Sequence, residues 1–341
     1  MRKSITIVGG GLAGLSLGIA LRRRDVPVVL HEAGRYPRHR VCGEFIRGVD
    51  ADTLEKLGVA EALADAGEAS HCRWFDERGE TRRDRLPVPA RTISRFLLDQ
   101  RLAENFRQLG GELREKSRFQ ESDSQEGTVW CSGRARKTES QWVGLKAHFR
   151  ELSLFDHLEM HRGRGAYVGL CEVENSTVNV CGLFSRKHLS MKREETILID
   201  ALRGCGLTAL AERLLSAEQV TRSACAVAAL DFSHSHHHKS DEDRLSLGDA
   251  HVMIPPFTGN GMSMAFECAA EALDPLLRFA DGALSWDNTV SQIQSLLRQR
   301  FRLRLRTAGM IHPFLIKPLP GASMILRSPL LPVSRLASWL S

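Results

Sequence analysis

The sequence predicts an α/β protein of two domains (α+β in the wider sense), with helices at its C-terminal end. A parallel, helix-flanked sheet is interrupted by an inserted, mostly antiparallel β-sheet domain. Two observations lead to this prediction. The apolar run 5–8 is followed by a glycine-rich turn and then by helical periodicity over 12–24, which is typical of a strand–turn–helix unit. Between 142 and 184, stretches of strand character follow one another with a turn at 174–176, as in an antiparallel meander.

The glycine-rich turn has the spacing of dinucleotide-binding proteins. Gly9, Gly11 and Gly14 form G-x-G-x-x-G between the strand and the helix. The first glycine permits the turn, the second lets backbone N–H groups approach a pyrophosphate, and the third lets the helix pack on the strand. A second strand over 26–30 leads to Glu32, whose carboxylate can accept the hydroxyls of an adenosine ribose. The order strand–turn–helix–strand–acid disfavours the alternative, an ordinary glycine-rich turn in an α/β core.

The remaining helices and strands are predicted from the spacing of apolar residues and from the glycines and capping residues at their ends. A helix opens at Ser94, repeats apolar residues at i, i+4 and stops at the glycines 110–111. A short strand over 245–250 ends in Gly248-Asp249. Further helices are predicted over 50–66, 194–217, 262–277 and around the arginine-rich stretch 293–305, and a strand pair over 74–86.

Length and composition limit the classes of protein to which the chain can belong. The 341 residues are 43% hydrophobic and 26% charged, which is ordinary for a soluble globular protein with room for two domains. The net charge of +6 fits a nucleotide, an anionic substrate or a membrane surface. No nucleic-acid-binding motif is present, so we expect no nucleic-acid partner. The eight cysteines form no C-x-x-C pair, which argues against a zinc ribbon and favours a reducing compartment. With no signal peptide and no apolar run of about 20 residues, we expect a cytoplasmic protein.

Four motifs in order resemble those of the para-hydroxybenzoate-hydroxylase-like FAD-dependent oxidoreductases. They are the glycine fingerprint with Glu32, Ser94-Arg95-x-x-Leu98-Asp99, Gly248-Asp249 and Pro256-x-x-Gly259-x-Gly261. Cys42-Gly43-Glu44 and the segment 258–265 look most like the geranylgeranyl reductase-like branch. The resemblance covers nearly the whole chain. It implies a Rossmann-like FAD-binding domain (GR2 type) with an inserted β-sheet substrate domain.

The resemblance also implies a division of the chain. The FAD-binding domain would comprise 1–71, 94–140 and 233–290. The substrate domain would comprise 72–93 and 141–232. A C-terminal helical region would cover 291–341.

The resemblance implies FAD as the cofactor and assigns its contacts. The glycines would hold the pyrophosphate, Arg95 would contact the cofactor from the second helix, and Asp249 would bind the ribityl chain. Reduced flavin carries negative charge near N1, which a helix N-terminus beginning near Gly261 stabilises. The predicted cofactor-binding residues are Gly9, Gly11, Leu12, Ala13, Gly14, Glu32, Cys42, Arg95, Gly248, Asp249, Pro256, Gly259, Asn260, Gly261 and Met262.

Three functions stay open at this point. The leading prediction is reduction of a C=C bond in a hydrophobic small molecule, isoprenoid or polyketide-like, with Glu44 or His251 as the proton donor. The first alternative is a monooxygenase that hydroxylates an aromatic or polyketide-like substrate. The second is a degenerate flavoprotein with a binding role. A halogenase is not predicted, because no Trp-x-Trp-x-Ile-Pro segment occurs.

The degenerate-flavoprotein alternative rests on two departures from the family pattern. Cys131-Ser132-Gly133 stands where many relatives carry an Asp-Gly motif, and the segment 117–128 is short for the expected β-ribbon. The electron donor, NAD(P)H or another, therefore stays open.

A histidine-rich tract and an arginine-rich tract are conspicuous in the sequence, and neither is interpreted as a catalytic or metal site. The histidines within 234–238 are expected to form a solvated loop, so no metal site is predicted. The arginines between 298 and 306 and the apolar tail 313–340 suit either peripheral contact with a membrane surface or a core-packed helix with solvated arginines. We favour the core-packed helix.

Overall fold

A computed structural model of the chain describes residues 2–133, 140–189, 197–230, 244–254 and 259–316. The strands are β1 (Ile5–Val8), β2 (Val28–Glu32), β3 (Phe45–Ile46), β4 (Gly67–Asp76), β5 (Gly79–Thr92), β6 (Glu112–Glu115), β7 (Thr128–Trp130), β8 (Trp142–Arg150), β9 (Leu158–Gly163), β10 (Ala166–Val173), β11 (Thr177–Ser185), β12 (Glu218–Gln219) and β13 (Cys225–Leu230). The helices are α1 (Leu12–Arg22), α2 (Ala51–Leu57), α3 (Arg95–Gln108), α4 (Ile197–Gly204), α5 (Thr208–Leu215), α6 (Gly261–Ala280) and α7 (Trp286–Ile316).

The first sheet is a four-stranded parallel sheet in the order β6-β2-β1-β7. A parallel bridge between Trp130 and Ser246 brings the segment before Gly248 to its β7 edge. Helix α1 is buried from Leu12 to Leu21, because β1, α3 and α6 all pack against it. It therefore lacks a polar face, as expected for the central helix of a doubly covered sheet.

Helix α3 begins where its sequence predicts. Ser94 is the N-cap, and its Oγ accepts a hydrogen bond from the backbone N–H of Leu97 at 3.0 Å. Leu98, Leu102 and Phe106 are fully buried on one face, in agreement with the i, i+4 spacing. This helix carries Arg95 and Asp99 toward the N-terminal end of α1.

The second sheet has nine strands, with the path β12-β8-β11-β10-β9-β4-β5-β3 and with β13 beside β8. It is antiparallel except where β4 pairs with β9. Alternate residues of β8, β10 and β11 face α4 and α5 and form one apolar core. The opposite face carries a second apolar cluster that includes Phe45 and Met253. The predicted fold class, with a parallel sheet and a separate, mostly antiparallel sheet, is confirmed.

Glycines divide two of the predicted helices. The helix predicted over 50–66 ends at Leu57, because Gly58 adopts a left-handed C-cap conformation, and a 3-10 turn over 60–63 follows. The described part of the helix predicted over 194–217 consists of α4 and α5, separated at Gly206 with φ +83°.

Near the C-terminal end, two further elements differ from prediction. The strand predicted over 245–250 is only the isolated bridge at Ser246, followed by a 3-10 turn at Gly248–Ala250. Helix α6 starts at Gly261 and runs past Pro275 to Ala280. Helix α7 buries Ile293, Leu297 and Phe301, which supports the core-packed interpretation for its described residues.

Candidate functional site

The three fingerprint glycines have three different surroundings. Gly9 has φ +108°, and a Cβ there would lie 2.3 Å from the carbonyl oxygen of Cys131. A Cβ at Gly14 would lie 2.1 Å from the Gly9 carbonyl oxygen. A Cβ at Gly11 would meet no atom within 4 Å, although this residue is the N-cap of α1. The turn and the helix packing thus require Gly9 and Gly14, while Gly11 leaves open space before a helix N-terminus, which fits a pyrophosphate.

Glu32 fixes the glycine turn as well as the end of β2. Its Oε2 accepts a hydrogen bond from the backbone N–H of Gly10 at 2.9 Å, and its Oε1 accepts one from Gly34 at 2.7 Å. Arg38 donates to Oε1 at 2.7 Å, and Arg40 lies 3.4 Å from Oε2. The carboxylate is 4% exposed, so two arginines balance its charge in a largely dry environment.

Asp99 joins the two arginines that approach the glycine turn. It is fully buried and accepts hydrogen bonds from Nε and Nη2 of Arg95 at 2.7 and 2.9 Å, and from Nε of Arg40 at 2.8 Å. Burial opposes the charge on Arg95, but the Asp99 carboxylate holds the Arg95 pKa above its usual value. Arg40 also donates to the Gly10 carbonyl oxygen at 3.3 Å. Sequence reasoning assigned Arg95 but neither Arg40 nor Asp99, although Arg40 ends a conspicuous basic run that begins at Arg35.

The N-terminal ends of α1 and α6 lie near a third segment, the turn at Gly248–Ala250. A Cβ at Gly248 would lie 3.2 Å from the Cβ of Ala13 in the first turn of α1. The Asp249 side chain beside it is exposed. A Cβ at Gly261 would meet no atom within 4 Å, so α6, like α1, begins next to open space. A ligand carrying negative charge would be stabilised at either helix end.

The other predicted cofactor contacts lie around these ends. Leu12 and Met262 are buried in the first turns of α1 and α6, and Asn260 is the buried N-cap of α6. Pro256, also predicted, lies outside the described residues, as does Thr258.

The segment 42–45 connects the second sheet to the start of α6. Asn179 donates to the Cys42 carbonyl oxygen at 3.0 Å, and the Cys171 thiol donates to that of Gly43 at 3.1 Å. The Phe45 ring would lie 2.2 Å from a Cβ at Gly259. Burial raises the pKa of the Cys42 thiol, so this cysteine is a neutral, weakly nucleophilic side chain.

Glu44 is a buried acceptor of three hydrogen bonds or ion pairs. Nε2 of His148 lies 2.6 Å from Oε2, Nζ of Lys146 lies 3.2 Å from Oε1, and the Arg95 N–H donates to Oε1 at 3.0 Å. Burial disfavours the charged carboxylate, but the His148 hydrogen bond and the Lys146 charge outweigh it and lower the Glu44 pKa. An ionised carboxylate at neutral pH is poorly suited to donate a proton.

Sequence reasoning missed Lys146 and His148. The available signal was two basic residues alternating with Leu145, Ala147 and Phe149 in an otherwise apolar strand. The other proposed proton donor, His251, is partly exposed at the end of the Gly248–Ala250 turn, and its backbone N–H donates to Gly248 at 2.9 Å.

The sheet face toward these loops is mainly apolar. Strand register places Tyr167, Leu183, Gly144 and Val227 side by side across β10, β11, β8 and β13. Trp142, Leu230 and Met253 belong to the same cluster, which we call the apolar wall. Such a surface suits a hydrophobic ring or chain.

No metal site is proposed. His71, Asp156 and His157 place their ligand atoms within 4.8 Å of one another. However, Asp156 is already paired with Arg83 at 2.9 Å and lies 3.6 Å from Arg73, which opposes a cation. The tract 234–238 lies outside the described residues. No helix in the described part of the chain is long and apolar enough to cross a membrane.

Residues 2–149 match a protein family described as an FAD binding domain. The fold is similar to that of p-nitrophenol 4-monooxygenase PnpA from Pseudomonas putida DLL-E4, with a TM-score of 0.76 and 13% identity over 99% of this chain and 96% of that chain. The flavin-dependent brominase Bmp2 has a TM-score of 0.72 and 17% identity, over 99% and 94% of the two chains. PqsL of Pseudomonas aeruginosa, in complex with 2-aminobenzoylacetate, has a TM-score of 0.69 and 14% identity, over 92% and 96%.

Similarity to curated sequences is more local. Squalene epoxidase erg1 of Schizosaccharomyces pombe is 36% identical over 59 residues, which are 17% of this chain and 13% of that protein. Conditioned medium factor receptor 1 of Dictyostelium discoideum is 27% identical over 143 residues, which are 37% of this chain and 28% of that protein. The chain thus matches less than a third of either relative's length.

The family match over residues 2–149 confirms FAD as the cofactor, and the solved structures confirm the fold of FAD-dependent oxidoreductases. The resemblance stated from the sequence is thereby confirmed for the FAD-binding domain and for the fold. The geranylgeranyl reductase-like branch stays a prediction, since these structural relatives are named as monooxygenases and a brominase.

Proposed function

We propose that the protein is an FAD-dependent monooxygenase that inserts one oxygen atom into a hydrophobic, ring-bearing small molecule. The ionisation state of Glu44 is the observation that favours a monooxygenase over an enzyme that reduces a C=C bond. Reduction requires an acid beside the substrate, and the sequence offered Glu44 or His251 for that role. A buried carboxylate with His148 at 2.6 Å, Lys146 at 3.2 Å and a lowered pKa is instead a fixed anion. The name of p-nitrophenol 4-monooxygenase PnpA, whose fold is similar, supports the same choice.

The chain's own residues would hold FAD at two helix ends. The open space at Gly11 would admit the pyrophosphate to the N-terminus of α1, and the exposed Asp249 would bind the ribityl hydroxyls. The N-terminus of α6 at Gly261 would stabilise negative charge near N1 of the ring system. Bound FAD, once reduced, supplies the activation of molecular oxygen.

The apolar wall would bind the substrate and exclude water from the oxygen-transfer step. Tyr167, Leu183 and Val227 provide flat and branched apolar surface in one row. Water exclusion matters because solvent that reaches the reacting atoms promotes side reactions such as hydrolysis. A planar aromatic or polyketide-like substrate suits this wall better than a charged one, because burying an unpaired charge there is costly.

The electron donor is a separate question. Cys131, at the place of the Asp-Gly motif of many relatives, is buried, and its carbonyl group packs against Gly9. That position therefore supports the glycine turn. The donor, NAD(P)H or another, therefore stays open, and stopped-flow bleaching of the flavin absorbance by NADH or NADPH tests the nicotinamide directly.

The proposed function is tested with labelled oxygen in host cells. Extracts of cells expressing the protein, or its Gly11→Val variant at the same level, are compared by mass spectrometry under ¹⁸O₂. We expect a product heavier by one oxygen atom, carrying the label and absent with the variant. A product heavier by two hydrogens would overturn the proposal in favour of reduction, and His251→Gln would then be the variant to examine. A purified protein that takes up no FAD would instead support a non-catalytic binding role.

A further inference from the structure

A cavity of about 420 Å³ lies at one end of the antiparallel sheet. Residues from five places meet there: the loop at His39, the start of α3, the end of β8, the β10–β11 turn and the loop 220–222. It shares no lining residue with the apolar wall. Its volume is that of a small-molecule site.

The floor of this cavity is a stack of rings. The imidazole of His39 lies on the Phe96 ring with centroids 4.7 Å apart, and the His148 ring meets His39 edge-on at 4.9 Å. Nζ of Lys146 lies 3.0 Å from Nδ1 of His39, and an ammonium can only donate, so the neutral imidazole carries its proton on Nε2. Burial and the Lys146 charge lower the His39 pKa to about 4. The floor is thus a flat, neutral surface with an N–H donor.

The walls of the cavity are cationic. Arg150 and Arg222 both line it with exposed side chains, and no ion pair is found for either among the described residues. The acidic residue of the lining, Glu174, is engaged, because its carboxylate accepts hydrogen bonds from the N–H and the hydroxyl of Ser94. The two guanidinium groups therefore offer forked donors that match a carboxylate.

The cavity is connected to the cofactor loop through His39. The preceding residue, Arg38, holds Glu32 at 2.7 Å, and the following residue, Arg40, holds Asp99 at 2.8 Å. A ligand that orders or shifts His39 thus acts on the two arginines that fix the glycine turn. Deeper in the protein, the Lys146 ammonium group contacts both His39 and the Glu44 carboxylate. The same carboxylate accepts a hydrogen bond from the backbone N–H of Arg95.

We propose that this cavity binds a small aromatic carboxylate as an effector of the cofactor site. The ring lies on Phe96 and His39, and the carboxylate is held by Arg150 and Arg222. The ligand changes the affinity for FAD through the loop that carries His39. The effector role rests on the proposed function, because it takes the Glu32 loop as the cofactor loop, whereas the binding site itself does not.

Calorimetry of benzoate binding to the FAD-loaded protein tests the site. We expect the double variant Arg150→Gln/Arg222→Gln to bind benzoate at least about tenfold more weakly while retaining FAD. Arg186→Gln, an exposed arginine at the far end of β11, is the matched control and should bind as the parent does. Phe96→Leu should weaken benzoate binding but leave any binding of inorganic phosphate unchanged. Equal benzoate affinity in parent and double variant, or phosphate bound as tightly as benzoate, would overturn the proposal.

Two further arms separate an effector from a substrate. FAD affinity, measured by flavin fluorescence with and without benzoate, should change in the parent and not in the double variant. Conversion of benzoate to an oxygenated product would mean that the cavity is the substrate site, and it would overturn the effector role. Benzoate binding is measured without turnover. The binding result can therefore be interpreted even if the monooxygenase proposal fails.

Discussion

Gly14 lies so close to Gly9 that a Cβ at position 14 would stand 2.1 Å from the Gly9 carbonyl oxygen. The first turn of α1 is therefore pressed directly onto the end of β1. Between them, Gly11 faces open space, with no atom within 4 Å of its Cβ position. The same short motif thus contains two residues required by the fold and one, Gly11, that we propose faces the ligand.

This difference predicts opposite outcomes for two similar variants. Gly11→Val should fold with near-parental stability but lose FAD affinity by about a hundredfold, close to 3 kcal/mol, because the side chain fills the pyrophosphate approach. Gly14→Val should fail to fold or lose several kcal/mol, because backbone cannot move away from the new side chain. Urea unfolding of the apoprotein and fluorescence titration with FAD separate the two effects. Stoichiometric FAD in the Gly11→Val protein would contradict our placement of the cofactor.

The glycine motif was predictable because its geometry is local. The sequence places strand, turn and helix within a few residues, so the roles of Gly9 and Gly14 follow from spacing alone. The N-cap role of Ser94 is local in the same way. Gly58 and Gly206 could also have been recognised from the sequence as helix ends. The apolar periodicity on both sides of each glycine instead led to the prediction of one continuous helix across it.

The charged residues behind the site were not predictable for a different reason. Lys146 and His148 come within 3.2 Å of Glu44 only because the loop 39–45 folds across a sheet strand about a hundred positions later in the chain. Asp99 was quoted only as part of a motif, and its contact with Arg40 depends on the same loop. Such pairings depend on the tertiary arrangement, which periodicity does not encode.

Glu32 should contribute to stability as well as to FAD binding. Glu32→Gln removes the negative charge that balances Arg38 and Arg40 and weakens the acceptor of the Gly10 N–H. Because one partner of a nearly buried ion pair is lost, we expect the apoprotein to lose about 2–3 kcal/mol. FAD affinity should fall further. Glu121→Gln, which removes the exposed partner of Arg244, should cost no more than about 0.5 kcal/mol.

The lowered pKa of His39 predicts that the folded protein becomes less stable as the pH falls. Its pKa is lowered to about 4 in the folded protein, by burial and by the Lys146 charge, whereas an unfolded histidine titrates near about 6.5. Between these values the unfolded chain binds more protons, so stability falls as the pH decreases from about 6.5 to about 4. His39→Gln should lose less stability across this window than the parent. Urea midpoints at several pH values measure the slope, and the exposed His188→Gln is the control. Identical slopes for parent and His39→Gln would contradict a neutral, half-buried His39 ring.

Helix α7 is attached to α6 by a buried ion pair with consequences for the cofactor site. Glu267, 2% exposed, accepts hydrogen bonds from Arg304 at 2.6 Å and from Arg300 at 3.0 Å. Glu267→Gln leaves the Arg304 charge buried without a full partner and should cost about 3 kcal/mol. Arg298→Gln on the exposed face of α7 should change stability by less than about 0.5 kcal/mol.

The double variant Glu267→Gln/Arg304→Met distinguishes a charge penalty from lost packing. Removing both charges should restore most of the stability lost in Glu267→Gln, because no unpaired ion remains in the interface. Urea unfolding supplies the three free energies. Because Glu267 lies in the second turn of the helix that begins at Gly261, FAD affinity should fall in the single variant and recover in the double one. Recovery of neither quantity would mean that the geometry of the pair, not its charge balance, positions α6.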